Sequence, residues 1–107
     1  MPDTLEILRD DIDRLDAQLI ELLGQRFEVC RKIALYKRIT GTPMMQTGRV
    51  QYVKDRAALH GASHNMDVVF ISELYDLLIA EACRLEDLII ESPEGLMGLV
   101  AEPAVTF

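Results

Sequence analysis

From Asp3 to Thr40 the chain contains no helix breaker except Gly24. Apolar residues recur at Leu5, Leu8, Ile12, Leu15, Leu19 and Leu22, and again at Val29, Ile33 and Tyr36, in alternating steps of three and four. That spacing is the seam of a helix packed on other helices. Asp3 is placed to cap its start, with Glu6 three residues on as in a capping box. Gly41 and Pro43 end it. Roughly 35 residues at 1.5 Å each make a rod about 50 Å long. A compact domain of 107 residues has a radius of gyration near ~13 Å. The rod therefore overhangs its own fold, and its apolar seam needs cover from a second chain. The expected architecture is all-α: three helices per chain, one very long, interlocked in an obligate homodimer.

The rest of the chain supplies two shorter helices. One is expected from about Thr47 to Leu59, turning Val50, Val53 and Ala57 inward. "HGASHN", His60 to Asn65, reads as a loop, with both histidines solvated rather than ligating or catalytic. A third helix is expected from near Asp67, a good cap, to about Glu91. Its seam is Ile71, Tyr75, Leu78, Ala82, Leu85 and Ile89, and Pro93 stops it. Residues 1–91 then form one helical domain, and 92–107 a tail that mixes Gly, Pro and apolar residues.

The formal charge of −7 argues against nucleic acid as a partner, because phosphate binding needs a basic face. No apolar run approaches the roughly 20 residues that span a bilayer. Asp3, Glu6, Asp10 and Asp11 stand where a secretory signal would be basic and then apolar. Cys30 and Cys83 lie within helical patterns and lack the spacing of a zinc site. Reduced thiols that pack, in a cytoplasmic protein without metal or cofactor, are the expectation.

Two cations interrupt the seam of the long helix. The step after Leu22 lands on Arg26, in register between Leu22 and Val29. Lys37, 11 residues on, falls about 20° off the same face and about 16 Å along the axis. A buried charge is expensive unless paired, so each cation needs an anion. Either acidic side chains of neighbouring helices pair with them, or they flank a gap sized for a small dicarboxylate, floored by Val29 and Ile33. Arg49 heads the second helix and can join them. Arg9 points about 100° away from Arg26 on the same rod, so only the partner's Arg9 could reach the site in an antiparallel dimer. Glu86 sits beside the third seam. It is either a partly buried carboxyl whose pKa is raised, able to donate a proton, or one half of a salt bridge. No convincing nucleophile stands in the sequence.

These residues resemble the all-helical class of chorismate mutase. Arg9 in "LEILRDDIDRLD", Arg26 and Lys37 in "LIELLGQRFEVCRKIALYKR" and Arg49 in "PMMQTGRV" keep that family's spacing without gaps over about residues 5 to 90. The resemblance implies three helices from each of two chains, with two active sites that each take one arginine from the opposite chain. Arg26 and the partner's Arg9 would hold the two carboxylates of a small enol-pyruvyl dicarboxylate. Lys37 would donate to the ether oxygen and to one carboxylate. Arg49 would line the pocket near the ring. Glu86 stands where the family has Gln or Glu, as second donor to the ether oxygen, which for Glu requires a proton.

At one corner the sequence departs from ordinary members. Gln46 and Val50 stand where acidic residues commonly surround the C4 hydroxyl of chorismate. "PMMQxGRV" resembles the branch that converts 4-amino-4-deoxychorismate to 4-amino-4-deoxyprephenate in p-aminophenylalanine-derived antibiotic synthesis. There either Gln46 and backbone carbonyls accept from the amine, or the amine binds neutral. An ordinary chorismate mutase and an isochorismate pyruvate lyase share the fold and most of these cations. From another class, a non-catalytic dimerisation or ligand-binding module would share the seam, but has no need of Arg26 and Lys37 on it.

Overall fold

The computed structural model describes residues 3–43 and 48–91. These form three α-helices: α1 (Thr4–Thr40), α2 (Arg49–Ala62) and α3 (Val68–Glu91). Helix α1 runs through Gly24 without a break for 37 residues, about 55 Å at the standard rise. The Asp3 carboxylate accepts the Glu6 backbone N–H at 2.7 Å and so satisfies one free donor of the first turn. At the other end Gly41 adopts the left-handed conformation, φ 73°, and its N–H returns to the Lys37 carbonyl. A residue without Cβ takes that conformation without strain.

The segment read as a loop from His60 is half helical. Helix α2 continues through His60, Gly61 and Ala62, three residues past the expected end at Leu59. Gly61 is there for packing: a Cβ would stand 2.8 Å from Ile71 Cγ1. The glycine that looks like a loop signal lies where Ile71 of α3 packs against the α2 backbone. The turn is confined to Ser63, His64 and Asn65. Asn65 takes φ 60°, a conformation that Asn tolerates better than most residues. Asp67 then starts α3, its side chain accepting the Phe70 backbone N–H at 3.0 Å. Both histidines are exposed.

Helices α1 and α3 run parallel. Arg26 lies over Tyr75, Lys37 pairs with Glu86, and Arg38 donates to the Ile89 carbonyl at 2.7 Å and the Ile90 carbonyl at 3.5 Å. This arrangement sets two negative helix ends side by side. Lys37 and Arg38 in the last turn of α1 oppose that charge, and Arg38 satisfies carbonyls that the end of α3 leaves free. Helix α2 folds back antiparallel along α3, where Lys54 and Asp76 meet at 2.6 Å.

The chain measures 57 × 34 × 15 Å, with a radius of gyration of 17.5 Å. A compact chain of about 100 residues has a radius near 13 Å. The shortest dimension is little more than the diameter of one helix, about 10–12 Å. The helices thus form one layer with both faces open. Its buried apolar residues are Ala34, Ile71, Ala82, Leu85 and Ile89. Leu5, Leu8, Ile12, Leu15, Leu19 and Leu22 are each more than half exposed. Among the described residues no helix is long and apolar enough to cross a membrane. The expected tail, 92–107, lies outside the described residues.

Candidate active site

The three helices enclose a cleft of about 310 Å³, at the small end of the range for ligand pockets. Helix α1 contributes Arg26, Cys30, Ile33 and Lys37, α2 contributes Arg49, Val50 and Val53, and α3 contributes Ile79, Ala82, Cys83 and Glu86. Of the expected site residues, Arg26, Lys37, Arg49, Val50 and Glu86 are all brought together here. The expected floor needs one correction. Ile33 lines the cleft, but Val29 is 52% exposed and Cys30 takes its place. Successive residues on a helix differ by 100°, and α1 turns the face through Arg26, Cys30 and Lys37, with buried Ala34, toward α3.

Each cation is set differently. The Lys37 ammonium donates to Glu86 Oε1 at 2.9 Å, with both side chains nearly buried. Of the two arrangements the sequence left open for Glu86, this is the salt bridge. Arg26 rises from the middle of α1. Its guanidinium contacts Cys30 Sγ at 3.9 Å and stacks over the Tyr75 ring, 5.7 Å from its centroid. Arg49 opens α2 behind Gly48, whose φ of 80° makes the turn into the helix. It lies 5.0 Å from the Tyr52 ring centroid. Among the described residues, no carboxylate pairs with Arg26 or Arg49. Two guanidiniums thus face a cleft with donor capacity unused, and the positive end of α2 lies beside one of them.

Arg9 does not reach this cleft in its own chain. It is exposed and lies 17 residues before Arg26, about 25 Å along the helix axis. Gln46 lies outside the described residues. Cys30 and Cys83 were read only as packing residues, yet both line the cleft. Their positions carried the signal, since Cys30 is one turn after Arg26 and Cys83 one turn before Glu86. Burial pushes both thiols above their ordinary pKa. Arg26 partly opposes this at Cys30, and the charges of Glu86 and Asp87 add to it at Cys83. The thiols are therefore held neutral, which does not suit a nucleophile. Among the described residues no group of three or more His, Cys, Asp or Glu is placed to hold a metal ion.

An all-helical fold with two arginines and a lysine lining one small cleft is the arrangement expected of a protein that takes a small dianion. The chain belongs to the chorismate mutase type II family, whose profile matches residues 8–87. It is 46% identical over 86 residues to the 4-amino-4-deoxychorismate mutase of Streptomyces venezuelae, covering 80% of this chain and 84% of that protein. It is 42% identical over 85 residues to the enzyme of the same name from Streptomyces pristinaespiralis, covering 79% and 66%. A chorismate mutase of Methanocaldococcus jannaschii is 24% identical over 95 residues, covering 89% and 96%. No solved structure matches the chain significantly.

Proposed function

We propose that this protein is an isomerase catalysing the [3,3] rearrangement of a chorismate-type enol-pyruvyl ether, with 4-amino-4-deoxychorismate as substrate and 4-amino-4-deoxyprephenate as product. The observation that carries this reading is the pair of cleft arginines, Arg26 and Arg49, to which no described side chain supplies a carboxylate. A dianionic substrate supplies what the protein withholds. The names of the two more similar relatives point to the amino substrate. So does Val50 at the cleft wall, where a hydroxyl-accepting carboxylate would favour chorismate.

The reaction breaks a C–O bond and forms a C–C bond within one molecule, with no proton transferred. The protein has two tasks: to hold the substrate in its compact diaxial conformer, and to stabilise negative charge developing on the ether oxygen. Arg26 binds one carboxylate through its forked donors. Lys37, held by Glu86 at the cleft wall, donates to the ether oxygen and to a carboxylate. Ile33, Val53 and Ile79 exclude water and raise the effect of these charges. Orientation and preorganised electrostatics together account for the acceleration.

The working unit is a homodimer. Its support is the single-layer shape and the exposed seam from Leu5 to Leu22, which a second copy would bury. The second chain would also bring the partner's Arg9 to the other carboxylate. Product analysis with chorismate, isochorismate and 4-amino-4-deoxychorismate offered side by side tests the assignment. Turnover chiefly of the amino substrate to its prephenate analogue is expected. Preference for chorismate, or release of pyruvate from isochorismate, would replace it with the corresponding activity.

A further inference from the structure

We infer that Tyr75 is a positioning residue for this reaction, its ring holding the Arg26 guanidinium in the orientation that meets a substrate carboxylate. The inference rests on the mutase reading above and deepens it. Arg26 leaves the middle of α1 on a long side chain with several rotatable bonds. Its described contacts are Cys30 Sγ at 3.9 Å, a weak acceptor, and the Tyr75 ring on the facing helix at 5.7 Å. The face of an aromatic ring attracts a cation through its quadrupole. Such a brace differs from a salt bridge in one respect that matters here. A carboxylate would occupy the N–H fork and compete with the substrate, whereas a ring face restrains the guanidinium and leaves its donors free.

The same device recurs at Arg49, which stands 5.0 Å from the Tyr52 ring one turn along α2. There the Tyr52 hydroxyl accepts an N–H from Arg56 at 3.3 Å. The two settings differ in solvent: Tyr52 is 50% exposed, whereas Tyr75 is partly buried between helices. A cation over a ring is held more strongly where water is excluded, so Tyr75 carries the larger effect.

Tyr75→Leu, Tyr75→Phe and Tyr52→Leu in the full chain test this by two independent readouts. In kinetics, Tyr75→Leu lowers kcat/KM about tenfold, a size in keeping with a desolvated cation–ring contact, while the melting temperature stays near that of the wild type. Tyr75→Phe, which keeps the ring, restores most of the loss. Tyr52→Leu gives a smaller effect. In the ligand-free protein, the Arg26 Nε–H resonance is shifted upfield by the ring in the wild type and Tyr75→Phe, and moves downfield in Tyr75→Leu. Unchanged kcat/KM in Tyr75→Leu, or a loss that tracks the melting temperature, overturns the inference. Failure of the wild type to turn over any of the three substrates overturns the mutase reading instead. The resonance still reports, in that case, whether the ring holds the guanidinium.

Discussion

The Lys37 ammonium and the Glu86 carboxylate meet at 2.9 Å between α1 and α3, with their side chains 13% and 11% exposed. The pair sets the register of two helices and forms one wall of the cleft. Among the described residues, Arg26 has no such partner. Substitutions at the two cations should therefore separate. Removing one preorganised donor costs about 100- to 1,000-fold in rate, on the order of 3–4 kcal/mol. Lys37→Ala should lose that rate and also stability, because it strands a buried carboxylate. Arg26→Ala should lose the rate while the melting temperature holds. Unfolding by Arg26→Ala would make that arginine structural, and turnover by Lys37→Ala at the normal rate would remove Lys37 from the chemistry.

Glu86→Gln keeps the shape of the side chain but removes the anionic partner of Lys37. Leaving a nearly buried ammonium without a compensating charge destabilises the fold, so the Gln variant is expected to melt below the wild type. An amide accepts from Lys37 and also donates, so turnover should persist. An unchanged melting temperature would show that the Lys37–Glu86 pair contributes little to the fold.

A shared active site has a genetic signature. Arg9→Ala and Arg26→Ala chains should each be inactive alone. In a mixed dimer, one site combines both defects and the other has none, so mixing should restore part of the activity. Absence of recovery after subunit exchange has been demonstrated by mass spectrometry would count against a contribution from the partner's Arg9.

At Gly61, a Cβ would lie 2.8 Å from Ile71 Cγ1 and 3.6 Å from Met66 Cβ. Overpacking of this kind typically costs about 1–3 kcal/mol, set against about 1 kcal/mol gained in helix propensity. Gly61→Ala is expected to lower the melting temperature by several degrees without moving KM. A higher melting temperature would mean that α2 and α3 can separate at little expense.

Cys30 and Cys83 give a pH test of the cleft. Their thiols bind protons more tightly in the folded chain than in the unfolded one. The stability they contribute is thus complete below the ordinary thiol pKa and is lost as pH rises from there through the raised pKa of the folded chain. Alkylation by iodoacetamide should be slower than that of free cysteine near neutral pH, and should accelerate in alkaline solution. A dicarboxylate transition-state analogue should protect both positions. Equal labelling with and without the analogue would separate these thiols from the ligand site.

Much of the fold was legible in the sequence because its signals are local. The three-and-four spacing, Asp3, Asp67 and Gly41 act within one helical turn of themselves, and the helices start and stop close to where those residues require. The errors arose where a local signal served a distant contact. Gly61 reads as a loop residue but makes room for Ile71. Val29 lies on the apolar seam, yet Cys30 faces the cleft, since one residue is 100° and no periodicity specifies which shoulder of a stripe meets the next helix. Arg26, Lys37, Arg49, Val50 and Glu86, which line one cleft, could be singled out because a charge on an apolar seam, or its absence beside an arginine, shows in one dimension. Tyr75 passed as an ordinary seam residue.

What the sequence determined by itself was the inventory: a rod too long for its own chain, two shorter helices, and cations at intervals along an apolar stripe. Propensity, capping and periodicity depend on neighbours a few residues away, so they can be read without knowing the rest. Only the tertiary structure decided that α1 and α3 lie parallel in the register that gives Glu86 to Lys37, and sets Arg26 over Tyr75 with no carboxylate on it among the described residues. Those pairings join residues far apart in the chain. They are selected by how two helix surfaces fit, by which buried charge finds a partner, and by loop lengths that permit the approach.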